Sequence, residues 1–172
     1  MNPDEIAVNA QRKRWMSVLA QADTDTLEVV CRPLHELTLA QWQWLRPPET
    51  GLVMVRGRAG GTGTQFNLGE VTVTRCALRL QPDGHRNAAS GKVGVAYVQG
   101  RRARHAELAA RLDALLQEPA SCDRIRAHVI EPLAAAQAAR RDQIARKAAA
   151  TKVEFYTLAR EAQTPRPSTG EA

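Results

Sequence analysis

The stretch "VRGRAGGTGTQFNLGEVTVTRCALRL", residues 55–80, decides the fold, because the segment after its glycines separates two architectures. Five glycines fall in its first fifteen residues, and Gly60, Gly61 and Gly63 surround Thr62, just after Arg56 and Arg58. A phosphate loop of the G-x-x-x-x-G-K-[ST] type needs a lysine after its last glycine and then a helix. The dinucleotide fingerprint G-x-G-x-x-G needs the helix too. Here no lysine comes next, and "EVTVTRCALRL" (70–80) alternates. Val71, Val73, Arg75, Ala77 and Arg79 point one way, and Thr72, Thr74, Cys76, Leu78 and Leu80 the other, which is the period of a strand. The glycines therefore read first as a hairpin connection that uses positive φ. Their second reading is a nest of backbone N–H groups for an anion, with Arg58, Gly60, Gly61, Thr62 and Gly63 as its candidates.

The same period extends outward. "LAQWQWL" (39–45), "GLVMVRG" (51–57) and "KVGVAYVQG" (92–100) read as further strands, with Pro47, Pro48 and Gly51 as a turn between the first two. Short, glycine-rich connections fit antiparallel neighbours. Helical patterns flank these strands. Residues 3–21 begin with Asn2 as a cap and Pro3 at the first helical position. Asp23–Cys31 suggest a second, short helix. In residues 101–117, Leu108, Leu112, Leu115 and Leu116 recur at helical spacing. A further helix is expected over 121–131, and Pro132 opens a long alanine-rich one reaching to about 160. The expectation is an α+β fold: an antiparallel sheet of about four strands, flanked by N-terminal and C-terminal helices. Residues 1–161 form one domain, and the proline-broken 162–172 a disordered tail.

Composition narrows the function. The 172-residue chain carries a net charge of +6, which favours anionic partners. Its seven aromatic residues are few for a protein that stacks single-stranded bases, and no nucleic-acid docking motif is present, so no nucleic acid is expected. Cys31, Cys76 and Cys122 are odd in number and far apart, which argues against a disulfide framework. The four histidines lack metal-ligand spacing, so no metal is expected in this chain. The acidic start "MNPDEI" lacks the apolar stretch of a signal peptide, and no apolar run is long enough to span a membrane. The expected compartment is the cytoplasm.

A second candidate site is "YVQGRRARHAE" (97–107), where a strand ends, Gly100 turns the chain and a helix starts with arginines. A helix N-terminus favours anions, so Gln99, Gly100, Arg101, Arg102 and His105 suit a phosphate or another polar ligand. The alternative is an ordinary corner with a solvated basic turn. His105 and Glu107 stand two apart and share no helix face, and spacing names no catalytic set. Arg140, Arg141, Arg146, Lys147 and Lys152 make a basic face on a helix with few large apolar residues, which suits a helix that needs a partner.

Four stretches together resemble one family, the PhnG subunits of the bacterial carbon–phosphorus lyase system: "RKRWMSVLA" (12–20), the block 49–80 with "RAGGTGTQF" and "TRCALRL", "VQGR…HAE" (98–107) and "KVEFYTL" (152–158). The resemblance spans nearly the whole chain. Loop 84–92 looks longer than the family pattern, and 121–131 fits it loosely. The resemblance implies an accessory subunit of a hetero-oligomer with PhnH-, PhnI- and PhnJ-type subunits and PhnK- and PhnL-type ATP-binding proteins. With PhnH-, PhnI- and PhnL-type partners it implies support for a transfer in which an alkylphosphonate displaces adenine from ATP. The product is α-D-ribose 1-alkylphosphonate 5-triphosphate. It implies no cofactor in this chain, with ATP a substrate of the complex and an iron–sulfur cluster in the PhnJ-type partner. No catalytic residue carries over. Arg75, in the matching block, joins Arg58, Gly60–Gly63, Gln99–Arg101 and His105 as a ligand- or partner-binding candidate.

Overall fold

The structure is a computed structural model and describes residues 3–81 and 91–153. Its elements in chain order are α1 (Pro3–Gln21), α2 (Thr24–Cys31), α3 (His35–Leu39), β1 (Gln41–Arg58), β2 (Gln65–Gln81), β3 (Val93–Gln99), α4 (Ala103–Leu116), α5 (Pro119–Ile125) and α6 (Glu131–Ala150). The strands form an antiparallel sheet in the order β1-β2-β3. The fold is α+β as expected, with three strands where about four were expected. The difference lies at Pro47 and Pro48. They make no turn: β1 runs through them, with register shifts between Trp44 and Arg46 and between Arg46 and Glu49. Proline donates no ladder hydrogen bond, but β1 is an edge strand, and bulges let such a strand carry it. Strands 39–45 and 51–57 thus fuse into one. The whole of the expected tail, 162–172, lies outside the described residues, as does the segment 154–161.

The alternation in residues 70–80 sets the core. Thr74, Cys76 and Leu78 are buried, while Arg75 on the opposite face is exposed. Onto the buried face packs α4, of which ten residues are buried, including Leu108, Leu112, Leu115 and Leu116. Four of the ten are alanines, which lets the helix lie close to the strands. Trp15, Val18 and Leu19 of α1, Leu27 of α2, and Ile125, Val129 and Leu133 complete the core. Between α5 and α6 the helical path widens by one turn over Arg126–Ile130. A proline ring clashes with the carbonyl four residues back, here His128, and a wide turn relieves that clash before Pro132.

Side chains close the first half of the outer edge of β3. Arg12 Nη2 and Gln117 Nε2 donate to the Val93 carbonyl at 3.2 and 2.9 Å, and the Val95 N–H donates to Asp113 Oδ2 at 3.0 Å. The other end of the sheet is different. Beyond the level of Val73, where β3 stops pairing, β1 and β2 continue as a two-stranded arm. Leu52, Val53, Met54, Phe66 and Leu68 all stand exposed on it.

Candidate functional site

The corner after β3 is built by Thr74. Gly100 turns the chain at φ 89, a conformation that favours glycine, and its N–H donates to the Thr72 carbonyl at 2.8 Å. The buried Thr74 hydroxyl donates to the Gly100 carbonyl at 2.6 Å and accepts from the Arg102 N–H at 3.0 Å. Its one proton is thereby used, so in the 3.2 Å contact with Thr50 the Thr50 hydroxyl donates. Sequence reading put Thr74 on one strand face with Cys76, Leu78 and Leu80 but missed this role. A hydroxyl next to Cys76 and Leu78 on the same face was the available signal, since a buried polar group must find partners.

His105 and Gln137 fix the end of α1. The buried His105 ring meets the Leu19 carbonyl through Nε2 at 2.8 Å and the Thr24 hydroxyl through Nδ1 at 3.2 Å. A carbonyl only accepts, so Nε2 carries a proton. Gln137 Nε2 donates to the Val18 carbonyl at 2.8 Å. Two of the last carbonyls of α1, which have no partner within their own helix, are satisfied in this way. The same contact holds α6 beside the corner.

Between them opens a cleft of about 570 Å³, with Gln99, Gly100 and Arg102 on one wall and Gln137, Arg140 and Arg141 on the other. No acidic residue lines it. Among the described residues no carboxylate lies within ion-pair distance of Arg102, Arg140 or Arg141. The helix α4 starts at this cleft with no side-chain cap and no acid in its first turn. Asp23, the cap of α2, has its carboxyl held below the usual carboxylate range, first by the Thr26 N–H, with the charge of Arg102 a lesser cause. Arg101 is exposed and does not line the cleft.

A second cleft, of about 510 Å³, lies between α2, β1 and α4 and is also rich in arginine. There the cations are matched. Arg104 faces Glu28 at 3.5 Å and Glu107 at 3.1 Å, and Arg111 pairs with Glu107 at 2.6 Å while lying 5.4 Å above the Trp42 ring. Of the three arginines in this cleft, Arg32 alone has no ion-pair partner among the described residues.

The other sequence candidates lie elsewhere. Gln65 stands eight residues beyond Val73 along β2, so the glycine loop is about 27 Å from the Gln99 corner. Gly60 and Gly61 adopt φ of 59 and 79 in a short turn that joins β1 to β2. Within it the Gly63 N–H donates to the Ala59 carbonyl at 2.9 Å, and Arg58 folds onto the Gly63 carbonyl at 3.2 Å. Thr62 comes directly after the turn and is exposed. Arg75, level with Tyr97 and so on the far side of the corner from the loop, pairs across the strands with Glu49 at 2.7 Å. Loop and corner therefore do not form one site within the chain.

Among the described residues no three of His, Cys, Asp and Glu are grouped so as to hold a metal, and no helix is long and apolar enough to cross a membrane. Cys31 and Cys76 are buried, and burial pushes both thiols up to about 11. Cys76 also donates to the Ala106 carbonyl at 3.1 Å. Only a thiolate reacts readily, so at neutral pH a maleimide is expected to modify the half-buried Cys122 at least about tenfold faster than these two. Intact mass should show one fast addition, with the others appearing on unfolding. Three equally fast additions would contradict this packing.

Known proteins give the chain its kinship. The family described as Phosphonate metabolism protein PhnG matches residues 10–161. A protein of Rhizobium meliloti (strain 1021), named alpha-D-ribose 1-methylphosphonate 5-triphosphate synthase subunit PhnG, is 38% identical over 151 residues. That alignment covers 88% of this chain and 90% of the relative. A family match across most of the chain and an identity of this level over nearly all of both proteins have one reading: the chain belongs to the PhnG family.

Proposed function

We propose that this chain is an accessory subunit of an α-D-ribose 1-methylphosphonate 5-triphosphate synthase, in the breakdown of organic phosphonates. It acts in the cytoplasm with PhnH-, PhnI- and PhnL-type partners, where methylphosphonate displaces adenine from ATP. The observation that carries this reading is the alignment with the Rhizobium meliloti subunit along nearly the whole of both chains. Two surfaces favour an accessory role. The arm exposes Leu52, Val53, Met54, Phe66 and Leu68, and α6 is exposed throughout its second half, with Ile144 at 57%. A two-stranded ribbon is marginal alone in water and gains by covering its apolar side chains. These surfaces are where PhnI- and PhnJ-type subunits dock. The chain holds no cofactor of its own, the iron–sulfur cluster resides in the PhnJ-type partner, and the chain alone does not turn over.

The test is adenine release from ATP and methylphosphonate by the reconstituted complex, with and without this chain. Turnover is expected to need it. Undiminished turnover in its absence would sink the proposal, and turnover by the chain alone would sink its accessory character. Leu52→Asp with Phe66→Asp is expected to leave the melting temperature within a few degrees, since both side chains are exposed, and to lower co-purification with the partners about tenfold or more. A second reading, in which this chain lends phosphate-binding groups to a shared active site through Gln99–Arg101 or the Arg58–Gly63 loop, draws support only at the corner, where unpaired arginines gather.

A further inference from the structure

We infer that the cleft between the Gln99–Arg102 corner and α6 is a binding site for a polyphosphate chain, one that recognises the phosphoryl groups and not a base. The assignment goes beyond the subunit's place in a synthase and does not depend on it. Three arginines, Arg102, Arg140 and Arg141, line one cleft with no acidic residue among its walls. Asp23 feels the charge of Arg102 but forms no ion pair with it, and like charges gathered without ion-pair partners repel, which a bound anion turns into attraction. The neighbouring cleft provides the contrast, since its Arg104 and Arg111 are already matched by Glu28 and Glu107.

Guanidinium forks fit phosphate oxygens in pairs, so three of them suit several linked phosphoryl groups better than one. Arg102, which lines the cleft, is also the N-cap of α4, so the positive end of that helix dipole lies beside it. A volume of about 570 Å³ is also more than a single phosphate fills. Specificity stops at the phosphates, because no aromatic residue lines the cleft for a base to stack on. Its position is fixed independently of any ligand, by Thr74 holding the corner and by Gln137 holding α6 to α1.

The experiment is calorimetric titration of the purified full chain, at physiological ionic strength, with sodium tripolyphosphate, pyrophosphate and orthophosphate, and then with ATP and GTP. Tripolyphosphate is expected to bind at least about tenfold more tightly than orthophosphate, with pyrophosphate between them, and ATP and GTP to agree within about twofold. Arg140→Ala with Arg141→Ala should weaken tripolyphosphate about tenfold or more. Both side chains are exposed on the helix, so the variant keeps its fold. Arg146→Ala with Lys147→Ala removes the same charge from α6 away from the cleft, and should leave affinity within about threefold. Three results would overturn the inference: no heat of binding at millimolar tripolyphosphate, equal losses in the two double variants, or a strong preference for one nucleotide base. An Arg140/Arg141 variant that binds tripolyphosphate normally but fails to co-purify with partner subunits would assign the cleft to a protein contact instead. Tripolyphosphate binding by a chain that proves dispensable for adenine release would retain this site while removing the proposed function.

Discussion

Replacing Asp113 with alanine is expected to lower the unfolding free energy by about 3–5 kcal/mol, the cost of breaking a buried, hydrogen-bonded ion pair. The carboxylate is fully buried and collects four donors: Arg12 Nε at 3.1 Å and Nη2 at 2.7 Å, Trp15 Nε1 at 2.9 Å, and the Val95 N–H at 3.0 Å. Alanine leaves the indole and the strand amide without acceptors inside the protein, and each such loss costs about 1–3 kcal/mol. Arg12 is 31% exposed and recovers some hydration, which holds the total towards the lower end of the range. Asp113→Asn keeps one acceptor oxygen and should cost less than alanine. The check is the urea midpoint at unchanged slope. A loss under about 1 kcal/mol would mean that the cluster contributes no more than a surface pair does.

Gly94→Ala is expected to be comparably damaging for a steric reason. Gly94 lies on β3 beneath α4, and an added Cβ would overlap the Ala110 carbonyl oxygen and stand 2.9 Å from the Ala114 nitrogen. Both obstacles are backbone and cannot rotate aside, so the helix must lift from the strand. Overpacking costs about 1–3 kcal/mol, and more where backbone must move, so about 3 kcal/mol is expected. In a domain of this size that corresponds to a melting temperature roughly 6–12 °C lower. Gly51→Ala is the control. Nothing lies within 4 Å of its added Cβ, and its effect should stay within about 0.5 kcal/mol. If the Gly94 variant melts with the parent, helix and strand do not approach as closely as described.

The elements legible in the sequence are those governed by one short period. Residues 70–80 alternate because one face of β2 meets α4, and the leucines of α4 recur because one side of that helix meets the sheet. Neither reading needs a distant partner. Pro47 and Pro48 misled because proline marks a turn in most settings, and its tolerance in a bulged edge strand depends on which strand lies outermost. Asp113 reads in sequence as a polar interruption between Leu112 and Ala114, and its meaning comes from Arg12 and Trp15, about a hundred residues away. The cleft is the hardest case. Gln99 and Arg102 were visible as a basic corner and Arg140 and Arg141 as a basic helix face, but contacts between distant parts of the chain, among them that from Gln137 to Val18, bring the two together. No local pattern encodes a contact 119 residues apart in the chain.

The closed edge of β3 bears on how copies of this protein meet one another. Sheets polymerise when each molecule offers two sticky borders, one to receive a strand and one to pass the pairing on. Here Arg12 and Gln117 occupy the Val93 carbonyl and Asp113 the Val95 N–H, and too little of the seven-residue β3 is left to seat a foreign strand. Among the described residues nothing pairs with the outer border of β1, but Pro47 and Pro48, at its register shifts, cut that border into two shorter lengths. At the level of β3, border-to-border pairing is therefore left to β1, while farther out on the arm the edge of β2 over Gln65–Thr72 also has no strand partner among the described residues. Along the body of the sheet the pairing cannot be passed on from copy to copy, and any such chain would have to run through the arm.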